Sequence, residues 1–318
     1  MTHWLSVAVQ TPAHSAVAGP LTYRSELPLT PGTLVRVPFG KREVLGIVWA
    51  LADSPAPGWS EESSRAVSGA LDGVAPLTSA WRQLVEFSAA YYQRALGEVA
   101  LAALPPQLRD LSAVQLARRL KPRPIKSGAA DADGPAKPSD PLTATESIAL
   151  NDQQTLALAE FESKKGPFLL FGATGSGKTE VYLHAVANLL ARDARAQALV
   201  MVPEINLTPQ LEARFRSRFA PLYGEGAVVS LHSGMTNPQR LKSWLAAHSG
   251  AARIVLGTRM AVFASMPALK LIVVDEEHDP SYKQQEGARY SARDLAVYRG
   301  RLDGAKVLLG SATPSLES

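Results

Sequence analysis

The sequence contains no cysteine, which excludes disulfide bonds and any zinc site built from thiolates within these 318 residues. It also has no run of 18 apolar residues, so we predict no transmembrane helix and no membrane partner. The first residues, Met1–Leu5, carry no Lys or Arg and do not fit a secretory signal. The six histidines lack metal-ligand spacing. We therefore expect a cytoplasmic protein without a structural metal in this stretch.

The sequence also has little excess of charge of either sign, since its net charge is only +4. The excess is local: residues 106–126 carry +5 and residues 151–318 carry +3, whereas residues 1–105 carry −1 and residues 127–150 carry −3. A modest basic bias suits a nucleic-acid partner, and a solvated basic face explains it equally well. For the cluster Arg118–Arg123, the alternatives are a solvated helix end and a contact to phosphates.

The length favours two domains, with three as the alternative. Residues 1–105 form the first, a small β-rich domain with a C-terminal helix: runs 34–37 and 44–49 flank a hairpin turn, and Trp81, Leu84, Val85 and Ala89 recur at helical spacing. Residues 106–149 contain the basic segment and a Pro/Ala-rich linker, since five of residues 122–149 are proline. Residues 150–318 form the second domain.

Short apolar strands alternate with helical stretches in the second domain, which predicts an α/β fold with a parallel sheet covered on both faces. The predicted strands are Phe168–Phe171, Ala198–Val202, Ala227–Ser230, Arg253–Leu256, Leu271–Val274 and Lys306–Leu309.

A phosphate-binding loop follows the first of these strands and opens a helix, as the pattern G-x-x-x-x-G-K-[ST] requires. Its glycines let backbone N–H groups surround the phosphates of ATP, and the helix N-terminus adds partial positive charge. Lys178 is predicted to neutralise the β- and γ-phosphates and Thr179 to hold Mg²⁺. The loop residues are Gly172, Ala173, Thr174, Gly175, Ser176, Gly177, Lys178 and Thr179.

A second cluster, Asp275–His278, follows the strand Leu271–Val274. An acidic residue at the carboxyl end of a buried strand points into the nucleotide crevice of such a sheet. Asp275 is therefore predicted to bind Mg²⁺ and Glu276 to polarise the attacking water. Alone, such a tetrad is more often a solvated turn. Together with the phosphate-binding loop, it is more often part of a nucleotide site. Ser311–Thr313, after the last strand, completes an ordered set of three motifs.

These motifs resemble the superfamily 2 helicases, and within them the replication-restart DNA helicases of the primosome. The resemblance covers nearly all of residues 150–318 and includes segments 202–210, 231–234 and 257–259 and an aromatic-rich loop at 279–294. It implies a RecA-like first helicase lobe, adenine recognition by Gln154, and coupling of the nucleotide site to DNA by His278. It also implies DNA contacts from Thr208, Arg259, Tyr282, Lys283, Arg289, Tyr290 and Arg293.

The N-terminal half resembles the 3′-DNA-binding domain of the same family around Val35–Gly40, with Tyr23 able to stack on a base or to pack as a half-buried strand residue. Three features depart from the family pattern. Thr22 and Ala288 stand where the family often has a carboxylate and a tryptophan. The family usually has a winged-helix domain between these two domains. Only about 45 residues lie between Pro105 and Leu150, so we expect that domain to be missing or reduced. Finally, the sequence stops after the third motif, without the second lobe and the zinc-binding cysteines.

The resemblance implies an ATP-dependent 3′→5′ helicase that recognises stalled forks and initiates replication restart. Forked and single-stranded DNA are the expected substrates, and single-stranded-DNA-binding protein and other primosome proteins are the expected partners. One alternative is a fork-binding, ATP-binding platform without helicase turnover, because a second lobe supplies the arginine finger in such enzymes. Another is a different ATP-driven DNA translocase, which duplex ends and intact duplex would stimulate as well as forks do.

Overall fold

The computed structural model describes residues 2–11, 19–54, 64–111, 115–116 and 149–316. The basic cluster Arg118–Arg123 and nearly all of the predicted linker lie outside the described residues. The prediction of a missing or reduced winged helix concerns the same stretch and stays a prediction, as do the domain boundaries.

Five antiparallel strands form the N-terminal sheet, in the order β2-β1-β4-β3-β5. The predicted hairpin is confirmed, with a turn that is shorter than expected because Phe39 pairs directly with Arg42. Apolar side chains on one face, among them Leu5, Val7 and Val35, form a small core of their own. The strands are β1 (His3–Val9), β2 (Leu21–Ser25), β3 (Leu34–Phe39), β4 (Arg42–Ala52) and β5 (Gly69–Ala70).

Helices follow this sheet in the described residues, and the first of them matches the periodicity of the sequence. The helix α1 (Ser79–Tyr91) begins at Thr78, whose side chain accepts a hydrogen bond from the backbone N–H of Trp81. Its buried residues include Trp81, Leu84, Val85 and Ala89, as their spacing predicts. The next helices along the chain are α2 (Leu96–Ala102) and α3 (Pro106–Asp110).

Six parallel strands form the C-terminal sheet, in the order β6-β11-β10-β7-β9-β8. All six predicted strands are present, with ends shifted by no more than two residues. They are β6 (Phe168–Phe171), β7 (Gln197–Met201), β8 (Val228–Leu231), β9 (Ile254–Gly257), β10 (Leu269–Val274) and β11 (Lys306–Ser311). The connecting helices are α4 (Asp152–Ser163), α5 (Lys178–Arg192), α6 (Pro209–Tyr223), α7 (Asn237–His248) and α8 (Ala292–Asp303).

The two sheets share one continuous core, because apolar side chains of α1 and α2 pack against those of α8 and of the 3-10 turn Arg259–Phe263. The indole Nε1 of Trp81 donates to the carbonyl oxygen of Phe263 at 2.8 Å. The rings of Phe87 and Tyr298 stack with their centroids 4.1 Å apart. The described helices include none long and apolar enough to cross a membrane.

Candidate nucleotide and nucleic-acid site

The order β6-β11-β10 places three predicted motifs side by side at the carboxyl ends of neighbouring parallel strands. The phosphate-binding loop follows β6, the Asp275–His278 segment follows β10, and Ser311 ends β11 between them. Because the carboxyl ends of parallel strands share one edge of a sheet, the motifs form a single crevice there.

The phosphate-binding loop has the backbone that its glycines predict. Gly175 and Gly177 have φ angles of 80° and 83°, in the left-handed region that favours glycine. Gln154, predicted to contact adenine, donates from Nε2 to the carbonyl oxygen of Ser176 at 2.9 Å. A Cβ at position 177 would lie 2.5 Å from that Nε2, so a side chain there would displace Gln154. Gln154 therefore braces the loop at the N-terminus of α5.

Lys178 lies at the centre of the crevice. It is the first residue of α5, it is buried, and its Nζ donates to the carbonyl oxygen of Gly172 at 2.9 Å. The same Nζ lies 3.4 Å from Oε1 of Glu276, so the predicted phosphate ligand and the predicted water-activating carboxylate are in contact. A phosphate group entering the crevice would meet this ammonium and the N–H groups at the start of α5.

Asp275 and Thr179 supply oxygen ligands of the kind that Mg²⁺ prefers. Thr179 is the second residue of α5, and Asp275 directly follows β10. Burial raises the pKa of the Asp275 carboxyl, while the neighbouring hydroxyl of Tyr182 and the ammonium of Lys178 oppose that rise. Tyr182 donates from its hydroxyl to Oδ1 of Asp275 at 2.9 Å. This donor set fits Mg²⁺ with ATP.

Tyr182 was not among the predicted site residues, although its spacing from Lys178 pointed to it. Tyr182 lies four residues after Lys178 on a helix, and residues four apart share a helix face. The long separation between Tyr182 and Asp275 hides their contact from any local pattern.

His278 joins the second motif to the third. Its Nδ1 lies 2.7 Å from the hydroxyl of Ser311, and its Nε2 lies 3.2 Å from the hydroxyl of Thr313. Nδ1 also lies 3.8 Å from Oε2 of Glu276. His278 therefore lies between the carboxylate of Glu276 and the segment after β11.

Arg293, predicted to contact DNA, is held by a buried carboxylate. Its Nη1 lies 3.3 Å from Oε2 of Glu277, whose side chain is fully buried, and donates to the hydroxyl of Ser315 at 2.7 Å. The backbone N–H of Ser315 donates to the other oxygen of Glu277 at 2.9 Å. Glu277 thus fixes the segment after β11 against α8, a role that the sequence analysis missed.

Two tyrosines predicted to face DNA are buried. Tyr23 is 3% exposed and its hydroxyl donates to the carbonyl oxygen of Pro38 at 3.0 Å. Tyr282 is 2% exposed and its hydroxyl donates to the carbonyl oxygen of Asp275 at 2.7 Å. Neither ring offers a free face for a base, because each packs into a core while its hydroxyl donates to a part-buried carbonyl oxygen. Tyr23 therefore takes the packed alternative, more deeply buried than expected, and the DNA contacts of both tyrosines stay predictions.

Arg259, another predicted DNA contact, lines a cavity of the lobe. Arg259 donates to the carbonyl oxygen of Ser281 at 2.8 Å, and it lines a cavity with residues of the segments 202–210, 231–234 and 279–294. Lys283 and Arg289 are exposed, and Tyr290 is half-buried with its ring edge-on to Phe263. Burial raises the pKa of Tyr290 to about 12. Thr208 caps the N-terminus of α6. The cavity is lined by Glu204, Ser233, Thr258, Arg259, Met260, Ser281 and Gln284.

A separate pocket lies on the N-terminal sheet beside the buried ring of Tyr23. Thr22 and the turn after β3 line it, and Arg65 supplies a positive charge. Arg65 donates to the carbonyl oxygen of Gly40 at 3.0 Å, which places the guanidinium at that turn. Within the described residues, no cluster of three or more His, Cys, Asp or Glu side chains is arranged to hold a metal ion by itself.

Comparison with family models gives one match for each half of the chain. Residues 151–318 match the DEAD/DEAH box helicase family, and residues 6–105 match the 3'DNA-binding domain (3'BD).

Curated relatives with similar sequences carry the name Replication restart protein PriA. The protein from Haemophilus influenzae is 37% identical over 90% of this chain and 46% of its own length. The protein from Bacillus subtilis is 41% identical over 55% of this chain and 21% of its own length. The chain therefore spans less than half the length of these relatives. Among solved structures, RecG bound to a three-way DNA junction is 25% identical over 52% of this chain and 21% of its own length, with a TM-score of 0.39.

Proposed function

Because the chain belongs to the DEAD/DEAH box helicase family, we propose that it binds ATP with Mg²⁺ and takes part in ATP-driven 3′→5′ unwinding of DNA at stalled replication forks. The observation that carries this proposal is the strand order β6-β11-β10, which brings Lys178, Asp275 and Glu276 into one crevice. The names of the curated relatives support replication restart as the process. We place this action in the cytoplasm because these relatives are bacterial proteins, and bacterial chromosomes lie in the cytoplasm.

ATP bound with Mg²⁺ supplies the transferable phosphoryl group. Lys178 and the N-terminus of α5 bind its phosphates, and Thr179 and Asp275 hold the cation. Glu276 orients the attacking water, since its carboxylate lies beside the ammonium of Lys178. These residues position the reactants and stabilise charge, which is most of what phosphoryl transfer asks of a protein.

DNA binding is assigned to two surfaces. On the lobe, the cavity beside Arg259 and the exposed cations Lys283 and Arg289 bind the sugar-phosphate backbone. On the N-terminal domain, the pocket beside Tyr23 binds a DNA end, supported by the match to a 3'DNA-binding domain. Backbone contacts carry most of the affinity, so binding weakens steeply with salt. We include single-stranded-DNA-binding protein and other primosome proteins as partners on the family resemblance alone.

A second candidate function is a fork-binding and ATP-binding platform without turnover. The observation that favours it is that the described residues contain one parallel sheet with one nucleotide crevice. An arginine finger from a second lobe is worth about 10³–10⁵ in rate in related phosphoryl-transfer systems. We expect hydrolysis by this chain alone to be slow.

The deciding experiment measures ATP binding and ATP hydrolysis by the chain, with and without forked DNA. We expect forked DNA to raise the rate, and Glu276→Gln to lower it by about 10²–10⁴ while MgATP binding is kept, because the amide cannot accept a proton from water. Glu225→Gln, an exposed carboxylate on the same lobe, is the matched control and should leave the rate unchanged.

The alternatives give different results in the same assay. Nucleotide binding with background hydrolysis on every DNA would favour the platform. Equal stimulation by forks, duplex ends and intact duplex would favour a general DNA translocase. Absence of nucleotide binding would contradict all three.

A further inference from the structure

Tyr182 is a buried residue of the nucleotide crevice to which the proposed function gives no role. It lies on α5, one turn after Lys178, and it is 1% exposed. Its hydroxyl donates to Oδ1 of Asp275 at 2.9 Å, so one hydrogen bond joins α5 to the carboxylate that follows β10. A buried phenol hydroxyl needs a polar partner, and here that partner is the predicted Mg²⁺ ligand.

Gly310 on β11 leaves the space that the hydroxyl of Tyr182 occupies. A Cβ at position 310 would lie 1.6 Å from this hydroxyl, so only glycine at that position of β11 lets the phenol reach Asp275. Because β11 lies between β6 and β10, the phenol crosses the strand that separates the loop from the carboxylate.

A phenol suits this position for an electrostatic reason. Lysine or arginine would also hold the carboxylate, but a second positive charge would reduce the attraction of Asp275 for a divalent cation. A neutral hydroxyl donor fixes one carboxylate oxygen and keeps the full negative charge. Hydrogen-bonded partners of metal ligands act in this way, by orienting the ligand.

We propose that Tyr182 is a positioning residue, whose hydroxyl orients the Asp275 carboxylate to hold the Mg²⁺ that accompanies ATP. This inference rests on the proposed function. It predicts that the tyrosine hydroxyl matters only for the part of nucleotide binding that depends on Mg²⁺.

The test measures binding of a fluorescent, non-hydrolysable ATP analogue to the purified chain across a Mg²⁺ titration, and in EDTA. For Tyr182→Phe we expect the Mg²⁺ concentration that gives half of the tightening to rise by about 10–100-fold, as for other partners of metal ligands. Binding in EDTA should not change. Tyr223→Phe, a half-buried tyrosine at the end of α6, is the matched control and should behave as the unmodified chain does.

A double-mutant cycle separates positioning from a general effect on the fold. If Tyr182 acts through Asp275, then Tyr182→Phe should add nothing to the loss caused by Asp275→Asn. Additive losses, weaker binding in EDTA, or an unchanged Mg²⁺ requirement would each overturn the inference, as would nucleotide binding that Mg²⁺ does not tighten. If the unmodified chain binds no nucleotide, the proposed function itself fails, and this inference fails with it.

Discussion

At the scale of single residues, Glu276 and Glu277 are neighbours with opposite surroundings. Glu276 has a positive φ of 44°, and its carboxylate reaches Lys178 in the crevice. The Glu277 side chain is fully buried between Arg293 and the backbone N–H of Ser315. A positive φ is uncommon for a residue other than glycine, and here it accompanies a sharp change of direction after β10. The carboxylate of Glu276 therefore faces the nucleotide crevice, whereas that of Glu277 holds Arg293 and the segment after β11 in place.

This contrast predicts that two chemically identical substitutions have different effects. Glu277→Gln should lower the free energy of unfolding by about 1.5–3 kcal/mol, the range for hydrogen bonds to charged groups, because Arg293 loses its buried counter-charge. Glu276→Gln should leave stability nearly unchanged and affect hydrolysis instead. Urea unfolding of both variants measures the difference. Equal stability of the two variants would refute the structural role of Glu277.

The residues that the sequence predicted are those whose chemistry follows from local spacing. Lys178, Thr179, Asp275 and Glu276 could be predicted because a loop or a strand end fixes each of them within a few residues. Tyr182 and Glu277 could not, because their partners lie far away along the chain and meet them only when strands β6, β11 and β10 assemble. For Tyr23 and Tyr282, the aromatic side chain suggested stacking on a base. In the structure both rings are buried in a hydrophobic core.

At the scale of elements, apolar runs predicted all six strands of the parallel sheet, because strands buried on both faces must be apolar throughout. The short helix α2 is different, since its contact with β1 depends on backbone approach and not on a pattern. Gly97 lies where a Cβ would come within 1.7 Å of the carbonyl oxygen of Val9. The sequence shows only a glycine inside a helical stretch, which local propensity disfavours.

Gly97→Ala should therefore destabilise the N-terminal domain, although alanine is the better helix former. We expect a loss of about 1–3 kcal/mol or more in the free energy of unfolding, because backbone atoms of Val9 must move to admit the methyl group. Gly69→Ala, on β5 with no atom within 4 Å of the added Cβ, is the matched control and should change stability by at most about 0.5 kcal/mol. The midpoint of chemical denaturation measures both. A neutral Gly97→Ala would contradict the close packing of α2 on β1.

At the scale of the whole molecule, the N-terminal domain and the helicase lobe meet through polar contacts as well as through apolar packing. Nε2 of His248 lies 2.9 Å from the carbonyl oxygen of Ala75, and Nδ1 lies 2.8 Å from the hydroxyl of Ser265. A carbonyl can only accept, so Nε2 carries the proton and Nδ1 accepts from Ser265. The ring also stacks on Trp244, with centroids 4.7 Å apart. The neutral imidazole therefore satisfies both of its nitrogens at the junction.

This junction makes stability depend on pH. Burial lowers the pKa of His248 below its ordinary 6.5, so the unfolded chain takes up the proton before the folded chain does. The contribution of His248 is complete above about pH 6.5 and is lost as the pH falls through the lowered value. We expect the chain to lose thermal stability between pH 7.5 and pH 5.5, and His248→Gln to lose less over the same range. His3→Gln, on β1 and outside these interdomain hydrogen bonds, is the control that should follow the unmodified chain. If His248→Gln lost as much stability on acidification as His3→Gln, protonation of His248 would not govern this junction, and its hold on Ala75 would be insensitive to pH.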